Sequence, residues 1–224
     1  MAATAVRYLR SVGASTTAGQ PVDPLPRPDL RAVGADERSP VEASEFRRVL
    51  GAFASGVTVV TAPAEPEGAT GADGTDRADS SHTRGPCGPA GFACQSFSSL
   101  SLDPPLVAFM VARTSTTWPR IARAGVFCVN ILGVGQGDLC RGFAVSGADK
   151  FAGVRYEPSP VTGSPLLAGV PAWIDCTIHT VHTGGDHLIV VGRVEALGAT
   201  EDEEVTGAGP LLFHRGAFGS FDSL

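Results

Sequence analysis

Two long runs near the C-terminal end, Ala172 to Thr183 and Leu188 to Leu197, constrain the fold more than any other feature. Both are rich in β-branched and apolar residues, and only four residues, Gly184-Gly185-Asp186-His187, separate them. Such a spacer is a hairpin signal, so the runs pair antiparallel. Upstream lie more runs of strand type: Val57 to Thr61, Leu106 to Ala112 and Val126 to Leu132, with Pro210 to Arg215 as a last strand. Leu106 to Ala112 is apolar at successive positions, as for a strand covered on both faces. Short helices are expected between the strands. Phe46, Val49, Leu50 and Phe53 form one apolar stripe, with Ser44 as N-cap and Gly56 as stop. Ser115, Thr116 and Thr117 cap a helix carrying Trp118, Ile121 and Ala122, and Gln136 to Phe143 reads as another. Connections run through hairpins, not through strand–helix alternation. The expected fold is therefore mainly β with short helices, a split antiparallel β-barrel and not a doubly wound sheet.

A chain of 224 residues suits one domain of ordinary size. Residues 1–40 are rich in Pro, Gly, Ala and charge, and PVDPLPRPDL blocks both helix and sheet, so this segment is expected to be a disordered extension. Its acid-poor start also has a transit-peptide reading, against which we set a plain bacterial tail. Residues 41–224 form the expected single domain, interrupted at 62–89 by a flexible insertion rich in Gly, Asp, Ala, Pro and Ser.

Net charge is −6 and the basic residues are scattered, which excludes a basic face for nucleic acid. The central apolar run is too short to span a bilayer. Five cysteines without a CxxC spacing argue against a disulfide framework and a thiolate zinc site, and place the chain in a reducing, cytoplasmic compartment. His179 and His182 point to opposite faces of a strand and cannot share a metal. Phosphate-loop, nucleophile-elbow and HExxH patterns are absent, and Gly133, Gly135 and Gly137 do not make a dinucleotide fingerprint.

Three polar clusters remain: GFACQSFSSLS at residues 91 to 101, Ser115-Thr116-Thr117, and Gly185-Asp186-His187. Each alone reads as an ordinary turn or cap. Together, and in this order, they resemble the short-chain flavin reductases, a flavin-binding split-barrel family. The likeness rests on FRRVLGAFASGVTVVT, GFACQSFSSLSLDPPLVAF, FCVNIL, DKFAGV, DCTIHTVHTGGDH and PLLFHRG, and runs from about Glu45 to Phe218. It implies a homodimer that binds FMN or FAD and oxidises NADH or NADPH. Free flavin would be reduced by direct hydride transfer and passed to a partner monooxygenase. Two other readings stand beside it: a flavoprotein that keeps its flavin and reduces another acceptor, and a non-enzymatic flavin-binding module.

The resemblance also assigns positions. The stretch containing Cys94, Gln95, Ser96, Phe97, Ser98, Leu100 and Ser101 would run along the flavin ring and ribityl chain. Ser115, Thr116 and Thr117 would meet the flavin phosphate, where a helix start adds favourable backbone N–H groups. Lys150 and Phe151 would lie near the cofactor. His187 would face the nicotinamide, as would the segment Phe213, His214, Arg215 and Gly216. The chain departs from the family in two places. Ala93-Cys94-Gln95-Ser96 stands where many relatives have Thr-Ala-Asn-Ser, with Cys94 read as a packing residue and not a redox thiol. His214 stands where an aromatic is common. Hydride transfer needs no general base, which agrees with the lack of an acid–base dyad.

Overall fold

The computed structural model describes residues 41–64, 88–147, 149–202 and 209–222. The expected extension at 1–40, and residues 65–87 of the expected insertion, lie outside the described residues.

Twelve strands and three α-helices follow in order among the described residues. Helix α1 (Ala43–Leu50) precedes β1 (Ser55–Gly56), β2 (Thr58–Ala62), β3 (Ala90–Cys94), β4 (Ser98–Leu102) and β5 (Pro105–Ala112). Helix α2 (Trp118–Ala124) leads to β6 (Val126–Ile131), and a 3₁₀ turn (Val134–Gln136) to α3 (Gly137–Ala144). The ribbon β7 (Tyr156–Pro158) and β8 (Pro165–Leu167) precedes the long pair β9 (Ala172–Gly184) and β10 (His187–Ala199). The hairpin β11 (Leu212–His214) and β12 (Ala217–Gly219) comes last.

Seven strands form one antiparallel sheet in the order β3-β2-β6-β9-β10-β5-β4. The spine is the β9–β10 pair, turned by Gly185-Asp186 with Gly185 at φ 70°, the left-handed value that a two-residue hairpin needs at its first position. The sheet is open: β3 and β4 are its edges and do not pair with each other. Only Gln95, Ser96 and Phe97 separate these edges along the chain. A fully closed barrel is thus not what the strands make.

The β-branched run of β2 is buried on both sides, which is why it carries no polar face. Val60 points into a cluster with Phe109, Phe127, Trp118 and Ile121 on the α2 side. Val59 points into a second cluster with Leu132, Phe143, Leu167 and Leu211 under α3. Strand β5 alternates instead of being covered twice: Val107, Phe109 and Val111 are buried, whereas Met110 is 43% exposed. Its open face is the one that matters for the site below.

The first helix corrects two expectations. It is preceded by Glu42, not Ser44, and ends at Gly51, not Gly56. Ser55 and Gly56 are drawn instead into a ladder with Phe213 and Leu212, so tertiary pairing overrides the helical period. The apolar stripe of α1 does not join the core: Phe46, Val49, Leu50 and Phe53 are all exposed among the described residues.

Beneath β6 and β9 lies a buried polar anchor. The Asp175 carboxylate accepts the N–H groups of Val161 (3.1 Å) and Thr162 (3.0 Å) and the Thr162 hydroxyl, tying the β7–β8 turn to the sheet. Asn130 donates to Val59 O and Pro165 O and accepts from Leu167 N (2.8 Å). These bonds satisfy groups that would otherwise be stranded in the core.

Candidate active site

Where β3 ends, its last residue Cys94 is buried and pairs with Thr58. The link that follows is fixed by a side chain. Ser96 Oγ accepts the Met110 N–H (2.9 Å), donates to the Met110 carbonyl (3.0 Å), and lies 3.3 Å from Cys94 Sγ. Its one proton is committed to β5, so Ser96 fastens the end of edge strand β3 to β5, the neighbour of the other edge. Burial pushes the Cys94 thiol above its usual pKa, which keeps it protonated near neutral pH.

A cavity of about 570 Å³ opens over this junction. Phe92, Cys94, Gln95 and Ser96 form one side, and Met110 and Ala112 of β5 form the floor. Arg141 from α3 and Phe213 and Phe218 from the last hairpin close the other side. Phe213 and Phe218 meet edge-on at 5.7 Å, and the Arg141 guanidinium lies 5.2 Å from the Phe218 ring centre, held by Asp138 at 2.9 Å.

His187 enters from the tip of β10, opposite Ala112. Its Nδ1 is 2.8 Å from Asp186 Oδ1, and this hydrogen bond holds the Asp186 carboxyl below the ordinary carboxylate range. Among the described residues Nε2 has no hydrogen-bond partner.

A second cavity of about 470 Å³ shares no lining residue with the first, but Gly91 and Thr116 on its wall are the chain neighbours of Phe92 and Ser115 on the first. Thr116, Thr117, Arg120, Asp149, Lys150 and Phe151 line it. Lys150 Nζ donates to the Gly91 (3.2 Å) and Phe143 (3.0 Å) carbonyls, and burial lowers its pKa. Phe151 stacks edge-on against Phe143 at 5.0 Å. Arg120 donates to the Gly88 and Pro89 carbonyls. Ser115 faces the first cavity, and its Oγ accepts the Trp118 N–H at 3.2 Å, although the N-cap position of α2 is Thr117, whose side chain makes no capping bond.

A third cavity, about 870 Å³, lies between α1 and the β11–β12 turn and holds Arg215 and Gly216. Gln95 and Phe213 line both it and the first cavity.

The structure thus brings together Cys94, Gln95, Ser96, Ser115, His187 and Phe213 in the first cavity, and Thr116, Thr117, Lys150 and Phe151 in the second. It does not bring Phe97, Ser98, Leu100, Ser101 or His214 to either. Phe97 turns into the core, and Ser98 and Leu100 sit exposed on an edge strand. Sequence reasoning missed Arg120, although it lies three residues past Thr117 on the same helix. It also missed Met110, Arg141 and Phe218, which only the fold places here.

Residues 50–222 match the family described as "Flavin reductase like domain". The chain belongs to this family. A flavin reductase of Pseudomonas putida is 42% identical over 187 residues, covering 84% of this chain and 95% of that protein. HsaB of Rhodococcus jostii, the reductase subunit of a flavin-dependent monooxygenase, is 42% identical, covering 83% of this chain and 81% of its own. Among solved structures, a homologue of nitrilotriacetate monooxygenase component B from Mycobacterium thermoresistibile superposes with a TM-score of 0.67 at 41% identity, over 80% of this chain and 86% of that one. SgcE6 of Streptomyces globisporus, an NADH:FAD oxidoreductase solved with NAD and FAD fragments, superposes with a TM-score of 0.64 at 32% identity, over 80% of this chain and 92% of that one. The flavin reductase family accounts for a mainly β chain with few short helices and an open site above one sheet. Among the described residues, no helix is long and apolar enough to cross a membrane.

Proposed function

We propose that this protein is an NAD(P)H:flavin oxidoreductase that reduces free FMN or FAD and hands the product to a separate oxygenase. The observation that carries the reading is the pairing of an aromatic and methionine-lined slot with a neighbouring cavity that holds two cations, two threonine hydroxyls and one carboxylate, Asp149. A flat ring system with a phosphate tail needs that pairing. Hydride passes from the nicotinamide to the flavin, and no residue need become a nucleophile or base.

The chain's residues bind and orient. Phe92 and Met110 offer apolar surface to a ring face, and Cys94 packs beneath it. Gln95 supplies an amide at the junction. Lys150 and Arg120, with the hydroxyls of Thr116 and Thr117, supply charge and donors for a phosphate. His187, steadied by Asp186, presents Nε2 to the nicotinamide side. Phe213 walls the same side. Ser98, Leu100 and Ser101 would act only on a ligand that reaches over β4.

The fold detail that suits this is a sheet curled as a split barrel. Cys94 and Ser98 are four Cα steps apart, about 14 Å at full stretch, whereas seven flat strands would set the edges about 29 Å apart. The sheet must therefore coil until the edges approach, and the slot lies over the gap. Exposed Leu100 and Leu102 on the edge strand β4 favour a homodimer. The four described cysteines are free, in keeping with a cytoplasmic setting.

The test is oxidation of NADH and NADPH by purified protein with FMN, FAD or riboflavin, followed at the nicotinamide absorbance band. Turnover with free flavin is the expected result. No loss of absorbance with any pair would overturn the proposal.

A further inference from the structure

The wall of the ring slot carries one guanidinium, Arg141, and no carboxylate. On a chain of net charge −6 this is a local reversal of sign. The proposed reaction uses the apolar surfaces of the slot and His187, and it leaves Arg141 without a task.

The chain itself fixes where the guanidinium sits. Arg141 Nε and Nη2 donate to Asp138 Oδ1 at 3.2 and 2.9 Å, three residues back along α3. The guanidinium carbon lies 5.2 Å from the centre of the Phe218 ring, and that ring meets Phe213 edge-on. Both side chains close over the bare start of the helix: a Cβ on Gly137 would stand 3.5 Å from Phe218 and 3.8 Å from the Arg141 guanidinium. Asp138 is 96% exposed and does not line the slot. An exposed pair of this spacing adds little to helix stability. Helix stability therefore does not account for a guanidinium laid against a ring on the slot wall.

Its place along the chain separates it from the proposed phosphate groups. Beyond Arg141, Ala144 is still on this wall, and only then do Gly147, Asp149 and Lys150 line the second cavity. Arg141 does not line that cavity. It belongs with Phe213 and Phe218 on the part of the site shaped for a flat ring.

Hydride transfer changes the charge at such a ring. A hydride carries two electrons and one proton. Its departure turns the nicotinamide into a cation, and its arrival turns a neutral flavin ring system into an anion. A guanidinium already in place favours the anion over the neutral ring, and does so more strongly once water has left the slot. We infer that Arg141 is the residue that stabilises the reduced, anionic flavin, with Asp138 and Phe218 as positioning residues for its guanidinium. The inference rests on the proposed NAD(P)H:flavin reaction. It gives the slot a preference for the product of that reaction over the flavin that enters, and so sets how long the product stays before it is handed on.

The experiment uses full-length protein, Arg141→Met and Arg141→Lys. FMN is titrated into each protein in the oxidised form and, with oxygen excluded, in a photochemically reduced form, so that no nicotinamide takes part. Arg141→Met keeps a stem and removes the charge. It should bind reduced FMN about tenfold more weakly, the loss of one charge-assisted contact, and oxidised FMN within about twofold of the parent. A tenfold difference between the two forms lowers the potential of bound flavin by about 30 mV, which a redox titration reads separately. Arg141→Lys returns the charge without the planar fork and should bring reduced FMN back to within about threefold of the parent. Equal weakening of both forms would make Arg141 a mere prop for the Phe218 wall and overturn the inference. Unchanged binding of both forms, or a lysine variant no better than the methionine one, would overturn it too. Parent protein that binds both forms but oxidises neither NADH nor NADPH would sink the reaction and leave the comparison of the two forms standing. Parent protein that binds neither form would sink both.

Discussion

Cys94 sits where a redox thiol would be conspicuous, at the rim of the slot, yet its sulfur is buried and faces the Ser96 hydroxyl. Burial raises its pKa, so it is a poor nucleophile at neutral pH. Cys94→Ala should therefore keep flavin reduction, with kcat within about threefold of the parent; loss of turnover would restore a redox role. Cys128 is a sharper case. Burial, with the Asp175 charge adding to it, pushes its pKa from 9.0 to about 12. A raised pKa means the folded state holds the proton more tightly than the unfolded chain. Its contribution is complete below pH 9 and is lost as pH climbs toward 12. The melting temperature should fall above pH 9, and Cys128→Ala should flatten that fall whatever offset the lost sulfur causes. A slope identical in the two proteins would contradict this. At this scale the sequence was half legible. Cys94 and Gln95 could be placed because they lie in one run with Ser96. Arg141 and Phe218 could not, since neither adjoins any motif and only the packing of α3 against the last hairpin makes them neighbours.

Elements tell a different story from residues. The β9–β10 hairpin was readable because two β-branched runs and a Gly-Gly-Asp spacer leave no helical option. The β7–β8 ribbon was not, because its three-residue strands are held by tertiary bonds to Asp175 and Asn130 and not by any propensity of their own. Asp175→Ala should cost about 2 kcal/mol, since it takes the acceptor from two backbone N–H groups and a hydroxyl of the part-buried β7–β8 turn, and chemical denaturation would measure it. Full stability would mean the ribbon anchors itself. Within β10, a Cβ on Gly192 would overlap the Phe127 ring and press on Cys176 at 3.3 Å. Gly192→Ala should lower stability by about 1–3 kcal/mol through overpacking. An unshifted denaturation midpoint would show that Phe127 has room to turn. The α1 stripe was correctly periodic, yet the period could not say that its partner was a groove and not a core.

At the scale of the molecule, the antiparallel class followed from the turns, but the order of the strands did not. Strand β5 pairs with β10, more than seventy residues away, and no local signal encodes that choice. Molecular mass by light scattering tests the dimer proposed above. A mass of two chains is expected, and a monomer that still turns over would exclude it. The three-residue link Gln95–Phe97 has a further consequence. It makes one edge of the sheet answerable to the other, and the proposed ring slot bridges that gap. Occupancy and closure of the gap are then two sides of one equilibrium, so whatever fills the slot acts as a staple across the sheet. Saturating flavin at a hundred times its Kd would add about 2.7 kcal/mol to unfolding. Slowed amide exchange should concentrate at Gln95, Ser96 and Met110, where the end of β3 is fastened to β5, and not at the hairpin tips.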